Sequence, residues 1–580
     1  MATRILHLSV IGTTFLAALM LAGCGGDAVS TGTTASGSSS TGSGSSGGTS
    51  PGSGSSGTGT GSSGSGSPGS GSSSGGTSTG GGSSGGTTGG TTGTPYVMGQ
   101  YLASTQFAAK CASPRSGTDP VTHVTYPDVQ GTSTDENNYL RSWTHELYLW
   151  FDQVPDLNPA SYTTANYFPL LMTSATTASG APVDKFHFTI PTATWESQSI
   201  NGVEAGYGVS FNLSSPTPPR TLTVTYVDPN ATGGAATLAR GAEVLSIDGV
   251  SLNAGDEAGV AVLNAGLQPA TVGENHVFSV QDLGVPMPRT VTVTAANVTE
   301  TPVPVVNTLN SNGAKVGYIL FNDHIATSES ALISAFTTLQ QQAVTDLVLD
   351  IRYNGGGFLD IASEVAFMIA GSAQTTGHTF YLQQFNSQHP TTNPITGSAI
   401  TPTLFHNTSQ GFSGQAGQAL PALNLARVFV LTGAQTCSAS EAIMNGLRGV
   451  NVQVIQIGST TCGKPYGFYP PDNCGTTYFS IQFRGVNDQN FGDYTDGFSP
   501  ANTVITAGYP IPGCSVADDF NHALGNPNEG QLSAALAYRT GGVCTVAPSG
   551  KEIARVKEEV RPELAITVRS PIREISILRQ

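Results

Sequence analysis

Between Asp135 and Asp152 the apolar residues Leu140, Trp143, Leu147 and Trp150 recur at three- and four-residue intervals, the stripe of one helical face. The Trp and Tyr content of this segment predicts a helix docked on a larger body. From about Gly202 to Val303 the pattern turns strand-like. Val209-Ser210-Phe211, Leu222-Thr223-Val224-Thr225-Tyr226 and Thr290-Val291-Thr292-Val293 are separated by Gly, Pro and Asp turns. From Lys315 onward strands and helices alternate: a strand over 316–321, a helix over 328–342, a strand over 346–351 and a helix over 358–370. A strand over 428–431, a helix over 439–448 and a strand over 452–457 then have the spacing of a β-α-β crossover. The fold class predicted is a multidomain α/β protein: a helical N-terminal region, a β-rich domain and an α/β domain.

Composition sets the boundaries. Of 73 glycines, 27 lie in the 70 residues from Gly25 to Thr94, which are nearly all Gly, Ser and Thr with Asp27 as the sole charge. Such a stretch cannot bury enough apolar surface to offset its ordering entropy, so it reads as a disordered tether with a reach of about 45 Å. Before it, Arg4 and the apolar run 8–21 have the form of a secretory leader. Leu21-Ala22-Gly23-Cys24 resembles the bacterial lipobox, which implies lipidation of Cys24 and a membrane anchor. Gly25-Gly26, with no Asp, resembles default sorting to an outer membrane, facing the periplasm or the cell surface. The organisation expected is leader 1–23, tether 24–94, helical region 95–200, β-rich domain 201–303, α/β domain 304–549 and charged tail 550–580.

Outside leader, tether and tail there are 32 acidic and 14 basic side chains, a net charge of −18. So acidic a body argues against nucleic acid as a partner, because phosphate contacts need clustered Lys and Arg. The tail carries 7 of the 22 basic residues against 5 acidic ones, which fits both a loose arm and a strap on the acidic body. Six cysteines besides Cys24 allow 15 disulfide connectivities. Short loops favour Cys462–Cys474 and Cys514–Cys544, with Cys437–Cys462 as the alternative. No two cysteines have zinc-knuckle spacing, and neither metal nor cofactor is expected. Asp518-Asp519-x-x-His522 reads as a solvated acidic helix. Asp488, Asp493 and Asp496 lack the spacing of a calcium loop.

Cys437-Ser438-Ala439-Ser440-Glu441 follows a buried strand and opens a helix. A hydroxyl at a helix N-terminus lies where backbone N–H groups favour negative charge, which suits an oxyanion. Ser-x-x-Glu is equally a capping box, which explains Ser438 and Glu441 without catalysis. Gly463-Lys464 follows the next strand of the same crossover, so Ser438 and Lys464 fall on one sheet edge. A buried lysine there, with few local charges, is suited to act as a general base. Asn354-Gly355-Gly356-Gly357 ends another strand, and its glycines let backbone amides approach a substrate carbonyl. His324 has no local Ser partner and reads as structural or as a substrate-edge residue.

Two resemblances follow from these motifs. Gly206-Tyr207-Gly208-Val209-Ser210-Phe211 and Leu238 through Val250 (LARGAEVLSIDGV) resemble the carboxylate loop and the "RGDxIxxING" stretch of PDZ domains. This implies that an extended peptide adds to a sheet edge at Gly206, Tyr207, Gly208 and Val209. Leu349 through Gly357 (LDIRYNGGG), Ser438-Ala439-Ser440-Glu441 and Gly463-Lys464-Pro465 resemble the S41 peptidases, the tail-specific or C-terminal processing proteases. The resemblance covers roughly 202–498. It implies a ClpP/crotonase-like catalytic domain, Ser438 as nucleophile, Lys464 as general base and the amides of Gly356 and Ala439 as oxyanion hole, acting on extended polypeptides. Many family members carry Gln four residues after the lysine; here Phe468 stands there, and Glu441 is the candidate for orienting the base. A Cys437–Cys462 disulfide would staple the two catalytic turns. The competing expectations are a catalytically silent peptide-binding lipoprotein and a hydrolase of small esters.

Overall fold

The structure, a computed structural model, describes residues 96–504, 508–544, 565–568 and 576–577. The leader, Cys24, the tether and most of the tail lie outside the described residues. Thr132 starts the first long helix, α1 (Ser133–Leu147). Its hydroxyl accepts the Asp135 amide, and the Asp135 carboxylate accepts the Thr132 amide. The helix stops at Leu147 because Tyr148 turns extended, so the stripe read through Trp150 overran it. Trp150 instead meets the Tyr466 ring edge-on, 5.0 Å between centroids. Leu140, Trp143 and Leu147 do pack inward, with Phe168 and Tyr478.

A second layer is an antiparallel sheet of β1 (Val209–Leu213), β2 (Leu222–Val227), β3 (Glu243–Ile247), β4 (Asn275–Gln281) and β5 (Arg289–Thr294), ordered β5-β4-β3-β2-β1. Strands β4 and β5 bury every second residue, as strands with one solvated face do. In β2 the alternation breaks, with Leu222, Val224 and Thr225 all buried, where the register with β1 shifts between Ser210 and Phe211. Helix α2 (Glu257–Leu267) lies between β3 and β4 in the chain. It shares a buried core with Phe211, Leu222, Val244 and Phe278. Strand β1 is the edge of this sheet, paired among the described residues only with β2.

The larger sheet is built from β6 (Val305–Ser311), β7 (Ala314–Leu320), β8 (Asp346–Asp350), β10 (Arg427–Thr432), β11 (Gln453–Gly458) and β12 (Gly513–Ser515), in the order β6-β7-β8-β10-β11-β12. A short strand β9 (Gly357–Phe358) lies outside it. Apart from β6, which is antiparallel to β7, neighbours run parallel. Helices α3 (Ser328–Gln341), α4 (Leu359–Ala370) and α5 (Ala439–Gly449) are the crossovers, and α6 (Gly530–Gly541) follows β12. The strands are buried on both faces: Ile319 and Leu349 join the core containing α3, α4 and α5, while Tyr318, Leu320 and Val348 face Leu532 and Ala535 of α6. No helix among the described residues is long and apolar enough to cross a membrane.

Among the described residues three disulfides close the fold: Cys111–Cys474, Cys437–Cys462 and Cys514–Cys544. Cys462–Cys474, the short-loop expectation, does not form. Residues 476–479 pair with 188–191, which brings Cys474 to the N-terminal region and to Cys111. Asp518, Asp519 and His522 lie in a loop and not on a helix. Asp518 pairs with the buried Arg352 at 2.8 Å, and Asp519 accepts from two neighbouring amides.

Candidate active site

Because β7, β8, β10 and β11 are parallel, the turns that leave them open on one edge, the usual place for a site in a parallel sheet. Those turns carry Asn322 to His324, Asn354 to Gly357, Ser438, and Lys464. Ser438 has φ +61° and ψ −115°, a conformation an L-residue rarely adopts. Strain of this kind at a strand-to-helix turn marks a side chain held in place for a purpose. The turn is pinned from outside the helix. The Cys437 amide donates to Asn354 O at 3.1 Å, and the Ser440 hydroxyl donates to the same carbonyl at 3.0 Å.

Glu441 ties the serine turn to the lysine turn. Its Oε2 accepts the amide of Ser438 at 3.0 Å and that of Lys464 at 2.8 Å. Its Oε1 accepts the Gly463 amide at 2.9 Å and the Thr461 hydroxyl. Burial pushes the Glu441 carboxyl up from its ordinary value, and the four donors pull it back part of the way. The capping box expected from Ser-x-x-Glu is present, but the same carboxylate also orders the turn bearing Lys464, which capping does not require. The Cys437–Cys462 disulfide adds a covalent tie, with 5.1 Å between Cα atoms. Gly463 has φ +83°, and a Cβ there would lie 2.2 Å from Thr495 O, so the turn before the lysine admits only glycine. Cys437, Glu441 and Cys462 place ligand atoms within 4.8 Å of one another. With both sulfurs joined in a disulfide, no thiolate is left to hold a metal.

Ser438 and Lys464 are each 1% exposed. The Lys464 ammonium nitrogen lies 4.1 Å from the ring centroid of Phe468 and 4.2 Å from that of Phe186. Phe468, at the position where Gln was expected, thus walls the amine instead of hydrogen-bonding it. Phe186 comes from the N-terminal region, a contribution with no local signal in the sequence.

Asn354 organises the glycine turn. Its Oδ1 accepts the Gly356 amide at 2.9 Å and faces His324 Nδ1 at 2.9 Å, while its Nδ2 donates to Phe321 O at 3.0 Å. With Oδ1 as acceptor, Nδ1 of His324 carries the ring proton. Burial pushes the His324 ring down to about 3, so it stays neutral. Its Nδ1 bond to Asn354 makes His324 part of the structure of this turn. The Gly356 amide, expected in the oxyanion hole, is engaged by Asn354 here, whereas Ala439 opens α5, where helix N–H groups point outward. Gly357 has φ +130°, and a Cβ on it would meet His324 O at 2.3 Å.

Gly206 ends a short strand (Val203–Gly206), Gly208 takes φ +68°, and Val209 begins β1. Tyr207 is buried, its hydroxyl on Gly266 O at 3.0 Å. A cavity of about 80 Å³ runs beside Gly208, Val209 and Phe211 and reaches Asn322, Tyr353 and Gln435, next to the glycine and serine turns. It is not lined by Ser438 or Lys464 themselves. Arg240, between β2 and β3, donates to Thr225 O at 2.7 Å, to the Tyr353 hydroxyl and to Asp518 at 2.6 Å, joining the smaller sheet to this edge. Thr461, Phe186, Asn354 and Asn322 are the site residues that motif spacing did not assign a part.

Residues 315–467 match the family described as Peptidase family S41. A carboxyl-terminal-processing protease of Picosynechococcus sp. is 31% identical over 173 residues, which are 29% of this chain and 39% of that protein. The match thus spans well under half of that relative's length. A crystal structure from Bacteroides fragilis NCTC 9343, assigned to the S41 proteases, superposes with a TM-score of 0.52 at 21% identity, over 72% of this chain and 98% of that one. This likeness speaks for the fold alone, and it agrees with the mixed α/β architecture. The glycine, serine and lysine turns all lie within the stretch 315–467 that is similar to peptidase family S41.

Proposed function

We propose that the chain is a serine endopeptidase that cleaves extended polypeptides, with Ser438 as nucleophile and Lys464 as general base. The observation that carries this reading is the shared Glu441 oxygen, which fixes the backbone of both residues at one sheet edge. Capping a helix explains one of those hydrogen bonds and leaves the other without a reason. In the reaction, neutral Lys464 takes the Ser438 proton as the oxygen attacks the scissile carbonyl carbon. The Ala439 amide stabilises the resulting oxyanion. The ammonium then protonates the leaving amine, and the acyl ester on Ser438 is hydrolysed by water, with Lys464 again as base. Gly356 joins as second donor once Asn354 Oδ1 releases its amide. Glu441 holds the two turns in register and does not touch the reacting atoms.

The β1 edge and the loop from Gly206 to Val209 present the incoming polypeptide as an added strand. The leader-like segment and the lipobox-like Leu21-Ala22-Gly23-Cys24 support a location in the cell envelope on a lipid anchor, with envelope polypeptides as substrates. The test is cleavage of an unfolded polypeptide by the wild type and by Ser438→Ala. Loss of cleavage in the variant with peptide binding retained supports the reading. A wild type that cleaves no unfolded chain at any pH from 6 to 10 overturns it. One observation favours a silent peptide-binding scaffold: the Gly356 amide is already occupied. That alternative requires Ser438→Ala to leave every measurable activity unchanged.

A further inference from the structure

The described part of the tail is bonded to the rest of the fold. Residues 565–568 lie against α2 and the chain that leaves β1. Asn264 of α2 holds them by main chain alone: its Nδ2 donates to Ala565 O at 3.1 Å and its Oδ1 accepts the Thr567 amide at 3.0 Å. Gln268 Nε2 donates to Thr567 O at 2.8 Å, and the Ile566 amide donates to Pro216 O at 3.2 Å. Ile566 is 3% exposed and belongs to the same buried cluster as Phe211, Val260 and Leu263, while Thr567 faces solvent. This alternation is that of an extended strand. With Ile566 bonded near Pro216 and Val568 beside Val209 and Phe211, the segment runs opposite to β1. Val568 lines the 80 Å³ cavity that leads to Asn322, Tyr353 and Gln435. Farther along, β13 (Ser576–Ile577) pairs in parallel with β9, register Gly357 to Ser576 and Phe358 to Ile577. The tail therefore touches the smaller sheet at one place and the glycine turn of the site at the other.

We propose that Ala565–Val568 is a resident peptide ligand of the groove between β1 and α2, and that it leads the C-terminus onto β9, where it competes in cis with incoming polypeptides. Main-chain clamping by Asn264 and Gln268 recognises any extended peptide, and the buried position of Ile566 selects an aliphatic side chain. Because ligand and groove share a chain, the segment acts at an effective concentration on the order of millimolar, which a free peptide of equal affinity must match. The competition rests on the peptidase reading; the groove assignment does not.

The test uses the full chain and a fluorescent peptide with the sequence 561–570 (RPELAITVRS). Ile566→Asp in the protein empties the groove, so this variant binds the peptide at least tenfold more tightly than the wild type. Asn264→Leu binds it no better than the wild type, because the clamp itself is lost. In the wild type, where no variant can misfold, hydrogen exchange at the Ile566 and Thr567 amides is slowed at least a hundredfold relative to a free peptide. Equal peptide binding by wild type and Ile566→Asp, or free-peptide exchange at 566 and 567, overturns the proposal. On an unfolded substrate, Ile566→Asp raises kcat/KM at least tenfold; an unchanged value with an emptied groove overturns the competition. If wild type and Ser438→Ala are equally inert, the peptidase reading fails, and binding and exchange still decide the groove.

Discussion

Phe468→Leu isolates what the departure at this position does to the base. A ring centroid 4.1 Å from the Lys464 nitrogen, in a site where that nitrogen is buried, favours the ammonium over the amine. A desolvated cation–π contact contributes about 2 kcal/mol, an exposed one about 0.5–1 kcal/mol. Leucine keeps an apolar wall and removes the ring's negative face, so about 1–2 kcal/mol of preference for the charged form is lost. At about 1.36 kcal/mol per pH unit, the pH at which the base loses its proton falls by about one unit. The assay is kcat/KM for a fluorogenic extended peptide from pH 6 to 10.5, with thermal melts at each pH to show that both proteins stay folded. The acid limb of the variant is expected about one unit lower, with the plateau at high pH changed less than about threefold, since no group touching the substrate is removed. Phe186→Leu, at 4.2 Å from the same nitrogen, shifts the limb in the same direction. A limb that stays in place or moves up in both variants refutes Lys464 as the group that titrates.

Glu441→Gln leaves an amide NH2 facing backbone N–H donors, so the native state loses at least one charge-assisted hydrogen bond and weakens the rest. A loss of about 2–4 kcal/mol in denaturant unfolding is expected; a loss under about 0.5 kcal/mol contradicts a Glu441 carboxylate that ties the serine turn to the lysine turn. Glu364 is buried beside Glu329, and burial with that neighbour raises its carboxyl to about 9. The folded state therefore holds a proton that the unfolded state releases near its ordinary 4.5, and this contribution to stability is full below that value and lost as pH rises to 9. Glu364→Gln is expected to flatten the decline in melting temperature between pH 5 and 9; an unchanged slope shows that other groups set it. Asn322 lines the cavity, and neither of its side-chain amide atoms has a partner among the described residues. Asn322→Ala is expected to raise KM severalfold for polypeptides at nearly constant kcat, and an unaltered KM removes it from the substrate path.

The alternation of period was enough to place the four inner strands of the larger sheet, but not its edge strands β6 and β12. Elements expected at 316–321, 346–351, 439–448 and 452–457 appear within two residues of those bounds, because buried parallel strands are short apolar runs and their crossovers keep helical stripes. The meeting of the Ser438 and Lys464 turns followed from parallel topology alone. Long-range partners left no trace. Phe186 reaches Lys464, and Cys111 reaches Cys474 across 363 residues, only because residues 188–191 pair with 476–479. The α1 stripe ran on to Trp150 since spacing cannot see the extended turn at Tyr148. Asp518 and His522 read as one helical face, yet Asp518 is drawn into the buried Arg352 cluster instead. The tail's 7 basic and 5 acidic residues fit both arm and strap, and charge content gave no sign that Asn264 and Gln268 would hold residues 565–567.

The pairing of Ser438 with Lys464 is tested most directly by covalent labelling. Wild type, Lys464→Ala and Ser438→Ala are treated with a fluorophosphonate probe, digested and mapped by mass spectrometry. The adduct is expected on Ser438 in the wild type, at least a hundredfold more slowly in Lys464→Ala, and nowhere in Ser438→Ala. A wild-type adduct on another serine, or equal labelling rates with and without the lysine, contradicts a nucleophile and base joined at this edge.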